Sequence, residues 1–215
     1  MIDAVVFDLD GLLLDTEQLW DEVREELARE RGGCWSERAQ ADMMGMSSPE
    51  WSRYMHDVVG VRESPDEIAE EVVRCMEAHY RERLPLISGA REAVELLAAR
   101  WPLGLASSSN RPLIDLALEL SGLVPFFAVT VSSEEVARGK PAPDVYLEAV
   151  RRLGVEPARA AAVEDSGNGI RSAHAAGLRV VAIPNAHFPP DEELLALADV
   201  VLDSLTDLTP GSVAP

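Results

Sequence analysis

The sequence predicts an α/β fold: a doubly wound, mostly parallel sheet with a smaller helical block inserted into it. Three observations carry this. Short runs rich in Val, Ile, Leu and Ala recur along the chain and are apolar throughout rather than alternating, as strands buried on both faces must be. Helical patterns fall between them, which is the βαβ arrangement of a parallel sheet. One interval, residues 15–84, holds no strand-like run and reads as helix alone.

Taken in order, strands are expected at residues 4–9 (AVVFDL), 102–108 (PLGLASS), 126–131 (FFAVTV), 160–165 (AAAVED), 179–184 (RVVAIP) and 199–204 (DVVLDS). Helices are expected at 90–99, 111–120, 143–153, 167–176 and 190–197. Within the strandless interval two long helical stretches follow Thr16 and Ser64, which are placed to act as N-caps, and the first ends at Gly32 and Gly33. A helical block of this length is far longer than an ordinary crossover. It is expected to form an inserted cap over the strand ends, giving a core of residues 1–14 and 85–215 and a cap of residues 15–84. The tail TPGSVAP (209–215) is expected to fray.

The 215 residues carry a net charge of −19, a field that repels nucleic acid and anionic membrane alike. Any anionic substrate must then be held by local positive charge. Cys34 and Cys75 match no metal-ligand spacing and read as incidental thiols of a reducing compartment. The start MIDAVVFDLD has acidic residues in its apolar run, unlike a signal peptide, and no stretch approaches the ~20 apolar residues that span a bilayer. A cytoplasmic monomer acting on a small molecule is the expectation.

The chemistry concentrates at strand ends. Asp8 and Asp10, at i and i+2 of the first strand, share a side if the strand is regular, and Gly11 permits a sharp turn after them. Glu164 and Asp165 end the fourth strand, at the sheet edge where α/β proteins build binding sites. Four carboxylates meeting there repel one another unless a hard divalent cation with oxygen ligands intervenes, and Mg²⁺ suits that set. Polar turn and cap residues without function are the alternative for each pair. After the second strand, Ser107, Ser108 and Ser109 with Asn110 offer hydroxyl and backbone N–H donors to an anion, or simply cap the next helix. Lys140, in RGKPAP (138–143), is the only lysine; every other of the nineteen Lys and Arg positions is arginine.

Together these motifs resemble the haloacid dehalogenase superfamily, in its β-phosphoglucomutase-like branch: DxDGxLxDT at 8–16, the inserted cap, a serine after the second strand, GKPxPD at 139–144 and VEDS at 163–166. The resemblance implies a hydrolase of small phosphomonoesters. Asp8 would be the nucleophile that becomes an aspartyl phosphate, and Asp10 the general acid and then base. Mg²⁺ would be held by the Asp8 side chain, the Asp10 backbone carbonyl and Asp165, with Glu164 as a further candidate. Ser107 would hydrogen-bond the phosphoryl group, with Ser108 and Asn110 as further candidates, and Lys140 would reach both Asp8 and the phosphoryl oxygens.

The alternatives within this resemblance are a sugar-phosphate mutase, a dehalogenase and a protein that keeps the fold without catalysis. Asp10 argues against the dehalogenase, whose second aspartate is replaced. Mutases of the branch carry a histidine where this chain has Trp20, and an arginine after a G-x-S motif where this chain has Ser48 in GMSS (45–48). Both departures favour a phosphatase. The four histidines fall in none of the motifs, and Trp20 and Trp51 are expected to pack in the cap or to face the substrate.

Overall fold

Six apolar runs pair into one parallel sheet in the computed structural model, which describes residues 1–43 and 46–214. The strands are β1 (Ala4–Phe7), β2 (Leu103–Ser107), β3 (Phe127–Ser132), β4 (Ala160–Glu164), β5 (Arg179–Ala182) and β6 (Val200–Val201). Their order is β3-β2-β1-β4-β5-β6, every pair parallel. All six expected strands form, each within two residues of its expected bounds except β6, which is shorter.

The lack of alternation in these runs has its cause in the layers. Val5, Phe7, Leu103, Leu105 and Val163 point to one face, against α5 (Ala90–Ala98) and α6 (Arg111–Ser121). Val6, Ala106, Ala160, Ala162 and Val180 point to the other, against α7 (Asp144–Leu153) and α8 (Gly167–Ala175). Every residue of β1, β2 and β4 is therefore buried, whichever way it points.

Between β1 and β2 lie α1 (Glu17–Glu30), α2 (Glu37–Met43), α3 (Ser48–Tyr54) and α4 (Pro65–Glu82), with no strand among the described residues of the interval. Its entry and exit run side by side: Leu14 bridges Leu86, the Asp15 N–H donates to Pro85 O (2.8 Å) and the Ile87 N–H to Leu13 O (2.9 Å). Helix α4 packs on α1 and α3 and also on α6 of the sheet layer. The block thus sits over the C-terminal strand edge.

Ser64 caps α4 as expected, in a reciprocal box in which Glu67 Oε2 accepts from the Ser64 N–H (2.9 Å). Helix α1 ends with Gly32 at φ +79°, the left-handed conformation that a side chain resists. Thr16 does not cap α1. Its backbone is at φ −109°, ψ −11° rather than extended, and its hydroxyl donates elsewhere, to Asp10. The tail is likewise not frayed through its length: Pro210–Val213 forms a short helix, and Val213 is fully buried. The helix expected at 190–197 shrinks to Glu192–Leu195.

Candidate active site

Strand order creates the site. The chain winds from β1 to β2 and β3 on one side, then returns to β4 against the other side of β1, so the sheet reverses between β1 and β4. At such a switch point the loops diverge and leave a crevice. Asp8 follows β1 directly, with its N–H continuing the ladder to Val163 O (3.0 Å), and Glu164 ends β4 beside it. The carboxylates expected at separate strand ends meet here: Asp8, Glu164 and Asp165 each offer an oxygen within 4.8 Å of the others.

Lys140 lies between two of them. Its Nζ is 2.5 Å from Asp8 Oδ1 and 2.6 Å from Glu164 Oε1, with its side chain 3% exposed. The peptide bond from Lys140 to Pro141 is cis. Burial alone would lower the lysine's pKa, yet the charges of Asp8 and Glu164 outweigh it and hold the ammonium above its usual range. For Asp8 the balance goes the other way: burial dominates, Lys140 offsets only part of it, and Glu164 adds repulsion, so its carboxyl is pushed up to about 8.

Glu164 and Asp165 differ in how they are satisfied. Glu164 is fully buried, and Oε1 accepts from Lys140 and from the Tyr146 hydroxyl (2.7 Å), while Oε2 accepts from the N–H groups of Asp165 (3.1 Å) and Ser166 (3.3 Å). Asp165 is 2% exposed, and its Oδ1 has no hydrogen-bond partner. Burial and the neighbouring charges of Asp8 and Glu164 raise its carboxyl well above the usual range. A buried carboxylate oxygen left unpaired, beside two further carboxylates, is costly unless a cation completes it. The donors are all oxygens, which fits a hard divalent ion. Two glycines make room for this cluster. A Cβ on Gly11 (φ +83°) would overlap the Asp165 carboxylate, and one on Gly169 would overlap that of Glu164.

Asp10 is held differently again. Its Oδ1 accepts from the Thr16 hydroxyl (2.7 Å), the Trp20 indole N–H (3.3 Å) and the Tyr80 hydroxyl (3.4 Å). Its Oδ2 accepts from Ser109 Oγ (2.7 Å) and Ser107 Oγ (3.3 Å). Trp20 and Tyr80 come from α1 and α4, so the helical block reaches down to this one carboxylate.

A small cavity of ≈ 60 Å³ lies over the cluster, with Asp8, Asp10 and Lys140 on one side and Trp20, Arg24 and Trp51 on the other. Ser108 and Ser109 are on its wall, whereas Ser107 is fully buried beneath, accepting from the Ser109 N–H (2.9 Å). Asn110 sits apart from the wall: its amide donates to Glu134 Oε1 (2.6 Å), and its carbonyl oxygen accepts from Ser48 Oγ (2.7 Å). Trp20 and Trp51 pack in the helical block, as expected, and also line the cavity, with ring centroids 6.1 Å apart. The four histidines are exposed, as is Cys34. Gly45 of the GMSS motif lies outside the described residues.

Several site residues escaped the sequence reading. Ser109, read with the serine run as a donor to an anion, was not expected to donate to Asp10. Glu17 follows the DxDGxLxDT motif directly; burial and the nearby Asp10 charge push its carboxyl up to about 7. Arg24, Tyr80 and Tyr146 had no local signature, because their positions depend on how helices dock.

Residues 2–177 match the haloacid dehalogenase-like hydrolase family. Hexitol phosphatase B of Escherichia coli strain K12 is 35% identical over 225 residues, covering 96% of this chain and 94% of that protein. The crystal structure of CbbY from Rhodobacter sphaeroides in complex with phosphate superposes with a TM-score of 0.88 at 29% identity, covering 100% of each chain. β-Phosphoglucomutase from Clostridium difficile shares the fold, with a TM-score of 0.85 at 23% identity over 98% of this chain and 95% of that one. With its switch-point carboxylates and its inserted helices, the chain belongs to the haloacid dehalogenase-like hydrolases.

Proposed function

We propose that the protein is a Mg²⁺-dependent phosphatase that hydrolyses a small phosphomonoester, a sugar phosphate or kindred metabolite, through a phosphorylated Asp8. The observation that carries this is the pairing of Asp8 with Lys140 beside the unpartnered Asp165 Oδ1. That arrangement would supply a carboxylate nucleophile, a fixed cation and oxygen ligands for a second cation in one buried cluster.

Asp8 attacks phosphorus, and the ester oxygen departs with a proton from Asp10. Asp10 then takes a proton from the water that attacks the phosphorylated Asp8, releasing phosphate. In the geometry above Asp10 only accepts hydrogen bonds. To carry a proton it must have one of its hydroxyl donors, Thr16, Tyr80, Ser107 or Ser109, rotate and accept instead, which each of these groups can do. Lys140 neutralises the Asp8 charge that would repel an incoming phosphoryl group, and its compact ammonium fits between two carboxylates where a planar guanidinium would not. Mg²⁺, held by Asp8, Asp165 and the Asp10 carbonyl, would offset charge on the equatorial oxygens. Glu164, with both oxygens already engaged, holds Lys140 in place. The serine run supports a phosphoryl seat in which Ser108 and Ser109 face the cavity and Ser107 braces them from below.

Release to water rather than a mutase cycle is favoured by two residues. Trp20 stands where mutases carry histidine and is committed to Asp10, and Ser48 stands where they carry arginine and is committed to Asn110. The relatives named above point toward polyol and sugar phosphates as the first substrates to try. The test is turnover of p-nitrophenyl phosphate and a panel of sugar phosphates with Mg²⁺ and with chelator, alongside isomerisation of β-glucose 1-phosphate. Turnover is expected with Mg²⁺ and to be lost in Asp8→Asn. Appreciable hydrolysis by that variant would overturn the mechanism, and isomerisation would overturn the phosphatase assignment.

A further inference from the structure

Arg24 is the one buried arginine among the described residues, 9% exposed on α1. Its guanidinium lies between two indoles, 4.7 Å from the Trp20 ring centroid and 4.9 Å from that of Trp51. Those faces offset part of its desolvation. Its hydrogen bonding is not satisfied: Nε has no partner, and among the described residues no carboxylate lies within 4.0 Å of the group. The contrast with the surface is sharp. Arg138, Arg151 and Arg152 are each paired with a carboxylate at 2.8 Å or less, where water would solvate them anyway. The arginine that most needs an anion is without one.

Its setting says what is missing. Arg24 lines the cavity that Asp8, Asp10 and Lys140 line from the other side. Lys140 is already engaged by Asp8 and Glu164, which leaves Arg24 as the unpaired cation of the wall. Glu17 and Asp21 on the same helix act on it only at longer range, and burial holds its pKa down to about 10, so it stays charged at neutral pH. A hydroxyl would satisfy one donor of the planar fork; a carboxylate or phosphate satisfies two and supplies the counter-charge.

The geometry points to Arg24 as a specificity-determining residue that binds a second acidic group, carboxylate or phosphate, on the leaving portion of the substrate. This rests on the phosphatase reading above. Esters whose alcohol carries such a group are then hydrolysed in preference to neutral ones of the same size.

The experiment compares kcat/KM for matched pairs, 3-phosphoglycerate against glycerol 3-phosphate and glucose 1,6-bisphosphate against glucose 6-phosphate, in the wild type, Arg24→Gln and Arg24→Lys. p-Nitrophenyl phosphate is measured alongside. The wild type favours the acidic member of each pair. In Arg24→Gln the acidic-to-neutral ratio falls about 30-fold, which is about 2 kcal/mol at 1.4 kcal/mol per tenfold, with the loss chiefly in KM. Arg24→Lys, which keeps the charge without the fork, falls in between and serves as the informative variant should Arg24→Gln unfold. A wild type without preference for acids, or a ratio unchanged in a folded variant, overturns the inference. So does an equal loss on every substrate including p-nitrophenyl phosphate, which would mean that Arg24 holds the transferred phosphoryl or only the fold. Absence of turnover of any phosphate by the wild type would instead sink the phosphatase reading.

Discussion

Lys140→Met removes an ammonium that sits 2.5 Å from Asp8 Oδ1 and 2.6 Å from Glu164 Oε1, in a pocket where its side chain is 3% exposed. Two buried carboxylates then face each other without compensation. Removing one partner of a buried ion pair costs about 3–5 kcal/mol. At about 2–4 °C per kcal/mol for a chain of this size, the melting temperature at pH 7.5 in chelator should fall by about 6–20 °C. The protein has one escape, which is to take up a proton on Asp8, whose carboxyl burial already holds at about 8. Without the ammonium Asp8 holds its proton more tightly still, and a protonated Asp8 is no nucleophile, so kcat should drop by at least about 10²-fold, the scale for losing a preorganised charge. Lys140→Arg separates charge from shape: it keeps the cation but must fit a planar head into a gap closed on both sides, costing about 1–3 kcal/mol of overpacking and a clear loss of kcat/KM. The assays are thermal unfolding in chelator at pH 7.5 and steady-state hydrolysis with Mg²⁺. Lys140→Met as stable as the wild type at pH 7.5, or Lys140→Arg with wild-type kcat/KM, would refute the reasoning.

Asp8 and Glu17 are held at about 8 and about 7, above their ordinary values of 3.8 and 4.5, so the folded state binds their protons more tightly than the unfolded chain. Their contribution to stability is full below about pH 4 and is lost as pH rises toward 7 and 8; denaturant unfolding in chelator should show stability falling between pH 5 and 8, with Mg²⁺ reversing the trend and Glu17→Gln removing part of it. A metal-free protein that gains stability over that window would contradict the burial argument. Gly11→Ala puts a methyl group on the Asp165 carboxylate at a backbone φ of +83°, so it should cost about 1–2 kcal/mol of conformational energy and weaken Mg²⁺ binding, measured by calorimetry, with wild-type affinity counting against Asp165 as a ligand. Tyr146→Phe removes the buried hydroxyl that donates to Glu164 Oε1 at 2.7 Å and should cost about 1–3 kcal/mol of stability while reducing kcat less than either Lys140 variant does; a larger kinetic effect than Lys140→Met would mean that Tyr146 acts on substrate directly.

The sheet was legible because burial on both faces leaves a mark that any strand of β1, β2 or β4 carries on its own: four or five successive buried residues with no apolar–polar alternation. Turns and caps were legible where one residue's geometry suffices, as at Ser64 and Gly32, and failed at Thr16, because the Asp10 carboxylate was a better acceptor for its hydroxyl than the helix end. The strand-end carboxylates were legible for a related reason, since a charge at the end of an apolar run costs too much to sit there unaided.

What sequence could not express is adjacency across the fold. That β4 lies against β1, and not against β3 which precedes it, is decided by how the helices α7 and α8 close the second face, and this alone brings Asp165 to Asp8. The docking of α1 and α4 over the strand edge is likewise a property of packed surfaces; it delivers Trp20 and Tyr80 to Asp10 and buries Arg24 without a counter-ion among the described residues. The residues proposed to carry out the chemistry were written into short motifs because each must leave a strand end in one way. Those proposed to choose the substrate come from helices whose contacts are long in sequence and set only when the apolar faces have met.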